Sequence, residues 1–169
     1  MKRFDRTVLR RYASAAVILL AVLAWPSAGW SRTARHACDV DTLLDRWVTA
    51  LRASSPTNPA PVVGTYAVNA VLLPTCENGP LTGGDIKGYF VNFLGYTPSV
   101  AINTRAISGD CANGFASGLY TFKLKVNGAD KTLYARYTFI FRQDRIAQHH
   151  SSLEPKPRPV VLGDGCPAH

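Results

Sequence analysis

At Pro98 the chain changes periodicity, and no other feature limits its fold as much. Before that proline apolar residues recur at helical spacing, and after it they gather into runs of branched and aromatic side chains broken by turn signals. On the helical side Val40, Leu43, Leu44, Trp47, Val48 and Leu51 form one stripe, with Asp39 or Asp41 placed to accept the free amides at its start. Asn58 and Pro59 are expected to open a short second helix burying Val62, Val63 and Tyr66. Residues 70–74 read as a strand ending at proline. Thr82 and Asp85 have capping-box spacing ahead of a third stripe, Ile86, Tyr89, Phe90, Phe93 and Leu94, closed by Gly95. Downstream, residues 99–108, 114–126, 131–142 and 145–152 read as strands. Their turns fall at 109–113, around Asn127-Gly128 in a loop longer than two residues, and at Gln143-Asp144. Helices first and antiparallel strands afterwards predict an α+β domain with helices on one face of a curved antiparallel sheet.

The residues ahead of this domain follow the order of a secretory signal peptide. A basic stretch at 1–11 precedes an apolar run at 13–25, then Pro26 and small residues. The run is shorter than the roughly 20 residues of a membrane span. The expected organisation is a signal at 1–31, cut after Gly29 or Ser31, a domain at 32–155, and a proline-rich tail at 156–169. The protein would then be periplasmic or secreted, with no stable membrane anchor. Loss of the signal halves the net charge from +8 to +4 and leaves the remaining bases scattered, which removes the support for nucleic-acid binding. The four cysteines, Cys38, Cys76, Cys111 and Cys166, lack zinc-like spacing, so no metal is expected. In an oxidising compartment they suit two disulfides, with three pairings open. No cofactor is implied.

The stretch Ile146 to Pro155, IAQHHSSLEP, holds the residues that invite a chemical reading. Successive strand side chains point to opposite faces, so His149 and His150 cannot share one metal. If Ile146 faces the helices, Gln148, His150 and Ser152 face them too, either satisfying one another or lining a polar cavity. On the preceding strand Arg136, Thr138 and Ile140 share one face and Tyr137, Phe139 and Phe141 the other. With Ile140 inward, Arg136 would be inward and would need an anion or a partner's carboxylate; with Ile140 outward, it is simply solvated.

AVLLPT at 70–75, YFVNFL at 89–94, GLYTF at 118–122, ARYTFIF at 135–141 and HHSS at 149–152 together resemble bacterial exported relatives of the calcium/calmodulin-dependent protein kinase II association domain. That family belongs to the nuclear transport factor 2-like superfamily, with ketosteroid-isomerase-like and polyketide-cyclase-like proteins. The resemblance spans roughly Cys38 to Pro155 and implies a cone: a strongly curved sheet wrapped around a long N-terminal helix. It also implies self-assembly into a homodimer or larger ring. Kinase signatures are missing from the sequence, which has no HRD or DFG motif, so no kinase activity is expected. One departure stands out: members carry glycine and tryptophan between the last two strands, where this chain runs RQDRIAQ.

Two functional expectations follow. In the first, an oligomerising domain binds a small anionic molecule through Arg136, Gln148, His150 and Ser152, with Tyr89 and Tyr120 as cavity walls and Tyr137, Phe139 and Phe141 as the subunit interface. In the second, the same cavity serves a small isomerase, cyclase or hydrolase with His150 as its base, since no carboxylate is predicted to face inward. A third possibility is a module whose tail is the recognition segment.

Overall fold

The structure is a computed structural model, and it describes residues 38–155. Three helices, α1 (Val40–Arg52), α2 (Ala60–Val63) and α3 (Gly84–Gly95), accompany seven strands: β1 (Tyr66–Leu73), β2 (Leu81–Thr82), β3 (Ser99–Ile102), β4 (Ala106–Gly109), β5 (Asn113–Val126), β6 (Ala129–Arg142) and β7 (Arg145–Leu153). The strands form one sheet in the order β2-β1-β7-β6-β5-β3, with β4 also paired to β5. All pairings are antiparallel except β1 with β7, which run parallel. The α+β class with helices on the sheet's inner face is as expected from the change of periodicity at Pro98.

Helix α1 forms for the reasons its sequence supplies. Asp39 caps it, accepting the Thr42 amide at 2.8 Å, and all six residues of its apolar stripe are buried. Each such side chain contributes roughly 1.5–3 kcal/mol on burial, so the stripe commits the helix to the sheet. Three ties fix where it lies. Cys38 is disulfide-bonded to Cys111 in the β4–β5 turn. Arg105, in the β3–β4 connection, pairs with Asp41 and, at 2.8 Å, with Asp45. Arg52 donates to the Val100 carbonyl at 3.2 Å. Gly114 on β5 lets the helix approach, because a Cβ there would run into Val40. Gly118 does the same for the β3–β4 connection, where a Cβ would meet the Thr104 carbonyl.

Several local expectations need correction. The first strand begins at Tyr66 rather than 70, so Tyr66 is a buried strand residue and α2 is only one turn long, headed by Pro59 rather than by an Asn58 cap. Thr82 sits in β2 and Gly83 precedes α3 without a side-chain cap, so no capping box forms. The 99–108 strand is two strands, because Asn103 and Thr104 turn aside to bond Leu119. Asn127 and Gly128, both with positive φ, make a two-residue hairpin loop, shorter than expected. Gln143-Asp144 does likewise between β6 and β7. The signal segment and the tail lie outside the described residues.

The disulfide closes a loop of 73 residues, worth about 4 kcal/mol in the chain-entropy view. Replacing both Cys38 and Cys111 with serine should therefore lower the stability of the oxidised protein by about 2–4 kcal/mol. Urea denaturation checks this, and an unchanged midpoint would mean that the bond does not hold α1 in place.

Candidate functional site

The inner face of the sheet is set by β6. Tyr137, Phe139 and Phe141 all point inward and are buried, while Arg136 points outward and is exposed. This reverses the expected interface: three aromatic rings gain far more by burial than one isoleucine beside an arginine. Strand β7 then changes phase. Its pairing slips between Ile140/Gln148 and Phe141/Ile146, leaving Ala147 as an extra residue, a β-bulge. Ile146 is inward as expected, but beyond the bulge it is His149 and Ser151 that face the helices. Gln148 and His150 are exposed on the opposite face with Arg136, and Ser152 is half-buried. The expected inward cluster of Arg136, Gln148, His150 and Ser152 is therefore not an inward cluster. His150 and Ser152 instead line a shallow surface groove of about 430 Å³ with residues 73–79.

The bulge brings His149 into the aromatic core. Its ring stacks on Phe139 at 3.9 Å between centroids and meets Trp47 of α1 edge-on at 5.5 Å. A hydrogen-bonded chain runs through it: Trp47 Nε1 donates to the Tyr66 hydroxyl at 3.2 Å, and that hydroxyl lies 2.8 Å from His149 Nδ1. An indole N–H can only donate. If Tyr66 accepts from Trp47 and donates its own proton to Nδ1, every polar atom but one is satisfied. The reverse tautomer would strand both the Tyr66 proton and Nε2. The chain thus assigns the imidazole proton to Nε2, the buried side-chain atom with no partner among the described residues. Nearby, Ser151 accepts from the Tyr120 hydroxyl and shares a hydrogen bond with Thr75.

Between α3 and the sheet these groups wall a partly open cavity of about 40 Å³. Trp47, Phe90, Tyr120, His149 and Ser151 form its depth, and Tyr89, Phe93 and Tyr96, each half-buried, its outer wall. Tyr89 and Tyr120 are thus where the sequence placed them. His149 and Ser151 were missed for their neighbours, and the phase of β7 was the only clue. Among the described residues, none of fixed charge lines the cavity. Burial pushes the Tyr66, Tyr89 and Tyr120 hydroxyls well above the usual tyrosine range. Burial also takes His149 down from 6.5 to about 3, helped by the charge of neighbouring His150, so the ring is neutral near pH 7. Cys38, Cys111 and Asp144 lie close together, but the two sulfurs are bonded to each other and offer no thiolate to a metal. Cys76, at the cavity wall, is not a free thiol, and Cys166 lies outside the described residues.

The buried histidine has a consequence for acid stability. Because its folded pKa lies below its unfolded value, the unfolded chain takes up a proton that the folded one refuses. Stability is present above pH 6.5 and should fall as pH drops toward about 3, by up to roughly 1.4 kcal/mol per pH unit. Between pH 7 and pH 4.5 the melting temperature of the wild type should fall further than that of His149→Phe. Parallel losses in both proteins would exclude His149 as the source.

The chain matches no protein-family model and no curated protein. Solved structures do resemble it. One described as a calcium/calmodulin dependent protein kinase II association domain, from Xanthomonas campestris, is 36% identical, with a TM-score of 0.62, over 70% of this chain and 87% of that one. A ketosteroid isomerase-like protein from Erwinia carotovora is 13% identical with a TM-score of 0.56, covering 73% of this chain and 99% of that one. An NTF2-like protein from Cytophaga hutchinsonii is 15% identical with a TM-score of 0.52, covering 70% and 92%. The last two speak for the fold alone. With the Xanthomonas protein the likeness extends to sequence over nearly its whole length, and the chain belongs to the calcium/calmodulin-dependent protein kinase II association-domain family, on the NTF2-like fold.

Proposed function

We propose that the protein is an exported, self-associating domain that holds a small, largely apolar molecule in the cavity between α3 and the sheet, without kinase activity. The observation that carries the association is the outward face of β5 and β6. Phe115 is paired with Ile140, Leu119 with Arg136, and Thr121 with Tyr134, and Phe115 and Tyr134 are exposed at 43% and 58%. A continuous sheet face of this composition suits a second copy of the chain. It replaces Tyr137, Phe139 and Phe141, which are core. Arg136, Gln148, His150 and Ser152 share this side of the sheet and would give the contact its polar part. The resemblance of the family to an association domain points the same way. The Cys38–Cys111 bond supports export, since disulfides persist in oxidising compartments.

The cavity favours binding over catalysis. A proton-abstracting site needs a base of suitable pKa within reach of the substrate. His150 is outside the cavity, His149 is a very weak base there, and none of the described residues lining the cavity is a carboxylate. The lining also offers an anion no counter-charge, so an uncharged ligand replaces the acidic one.

Native mass spectrometry of the protein exported from its signal should show a dimer or ring. Changing Phe115 and Tyr134 together to lysine should shift it to monomer by at least tenfold in dissociation constant, with the melting temperature nearly unchanged. A wild type that stays monomeric at about 100 μM would overturn the association reading.

A further inference from the structure

Among the described residues, one buried side-chain polar atom at the cavity wall has no hydrogen-bond partner, and it is a donor. His149 is 4% exposed, its Nδ1 side is held by Tyr66, and Tyr66 does not line the cavity whereas His149 does. The opposite side of the ring carries Nε2, which has almost no exposed surface, so an acceptor reaches it only as the side chains around it give way. Two hydrogen bonds join the hydroxyls of Tyr120, Ser151 and Thr75, so each of these oxygens has a partner although one of their three protons is left over, whereas Nε2–H has no partner at all among the described residues. A buried donor without a partner is costly, and such atoms mark places where something else binds.

Resting on the ligand-binding reading above, we infer that the cavity recognises an uncharged molecule with a carbonyl oxygen, which accepts the His149 Nε2–H hydrogen bond, and with a flat apolar body. The size of the cavity sets the pose. About 40 Å³ is room for roughly three waters' worth of ligand, enough for a carbonyl head but not for a ring. The head lies against His149, and the body lies in the mouth among aromatic rings. Tyr89 and Phe93 stack there at 5.6 Å between centroids, and Phe93 meets Phe122 edge-on at 5.4 Å. A carboxylate would satisfy the same donor but would lose its hydration with no cation in the lining to offset it. A hydrocarbon would fit the mouth and leave the donor empty.

Three probes of similar shape separate these cases: acetophenone, benzoate and cumene, titrated by calorimetry into the oxidised protein. Acetophenone should bind about three- to tenfold more tightly than cumene, the worth of one neutral hydrogen bond, and benzoate should not bind measurably. In His149→Phe the preference for acetophenone over cumene should vanish while cumene still binds. Should that variant fail to fold, ¹⁵N NMR of the wild-type imidazole decides. Nε2 should carry the proton in the free protein, and its proton signal should move downfield with acetophenone but not with cumene. Equal binding of acetophenone and cumene, tight benzoate binding, or a proton found on Nδ1 would each overturn the inference while leaving the cavity a ligand site. No binding of any probe would overturn the cavity reading itself.

Discussion

Trp47 joins helix to sheet, and the arrangement of the interior depends on how it does so. Its ring lies 5.0 Å from Phe139 and meets His149 edge-on, while its N–H is committed to Tyr66. One side chain therefore sets the depth of α1 in the sheet, orients the Tyr66 hydroxyl, and through that hydroxyl selects the tautomer of His149. The aromatic packing supplies the stability, and the hydrogen bonds supply direction. Neither would place the donor alone. Stacking on Phe139 fixes the plane of the imidazole, and the bond to Tyr66 fixes which nitrogen faces away from it.

How much of this was legible in the sequence differs between scaffold and site. The stripe from Val40 to Leu51, the Asp39 cap, and the turns at Asn127-Gly128 and Gln143-Asp144 are local signals, and local physics decided them. The facing of β6 was also legible. Tyr137, Phe139 and Phe141 on one face outweigh Thr138 and Ile140 on the other, and weighing Ile140 above them inverted the sheet. The site itself was not legible. Counted straight from the Gln143-Asp144 turn, an unbroken ladder would set Phe139 opposite Gln148 and Tyr137 opposite His150. The observed partners are His149 and Ser151. One extra residue at Ala147 makes the difference, because a shift of one position in a strand moves every later side chain to the other face. The bulge answers a non-local constraint. β1 lies parallel along the other edge of β7 and is itself irregular between Tyr66 and Val71, where Ile146 and Gln148 are its partners. Nothing in RQDRIAQ announces that neighbour.

The corrected phase turns one polar row into two surfaces with different chemistry. Inward, His149 and Ser151 sit among rings, His149 is held neutral by burial, and both can only exchange hydrogen bonds. Outward, Arg136, Gln148 and His150 remain in water, where charge carries little desolvation cost, beside Phe115, Tyr134 and Ile140. Had the inward row held Arg136 and His150, the same fold would have built a charged pocket suited to an anion. The family's fold is thus compatible with either kind of site, and the choice between them here rests on the aromatic face of β6, which turns Arg136 outward, and on the bulge at Ala147, which turns His150 outward.

This division would also let the proposed assembly and ligand binding coexist in so small a domain. The sheet is only one layer thick, so each residue of β6 belongs either to the cavity side or to the contact side, and pleating alternates the two along the strand. Leu119 and Tyr120 are neighbours in sequence, yet one lies beside Arg136 on the outer face and the other holds Ser151 inside. A second copy packed on Phe115, Ile140 and Tyr134 would stiffen the same strands whose inner faces carry Phe139 and His149. Because a close-packed interior transmits strain, a contact that holds these strands from outside would also steady the donor's position inside.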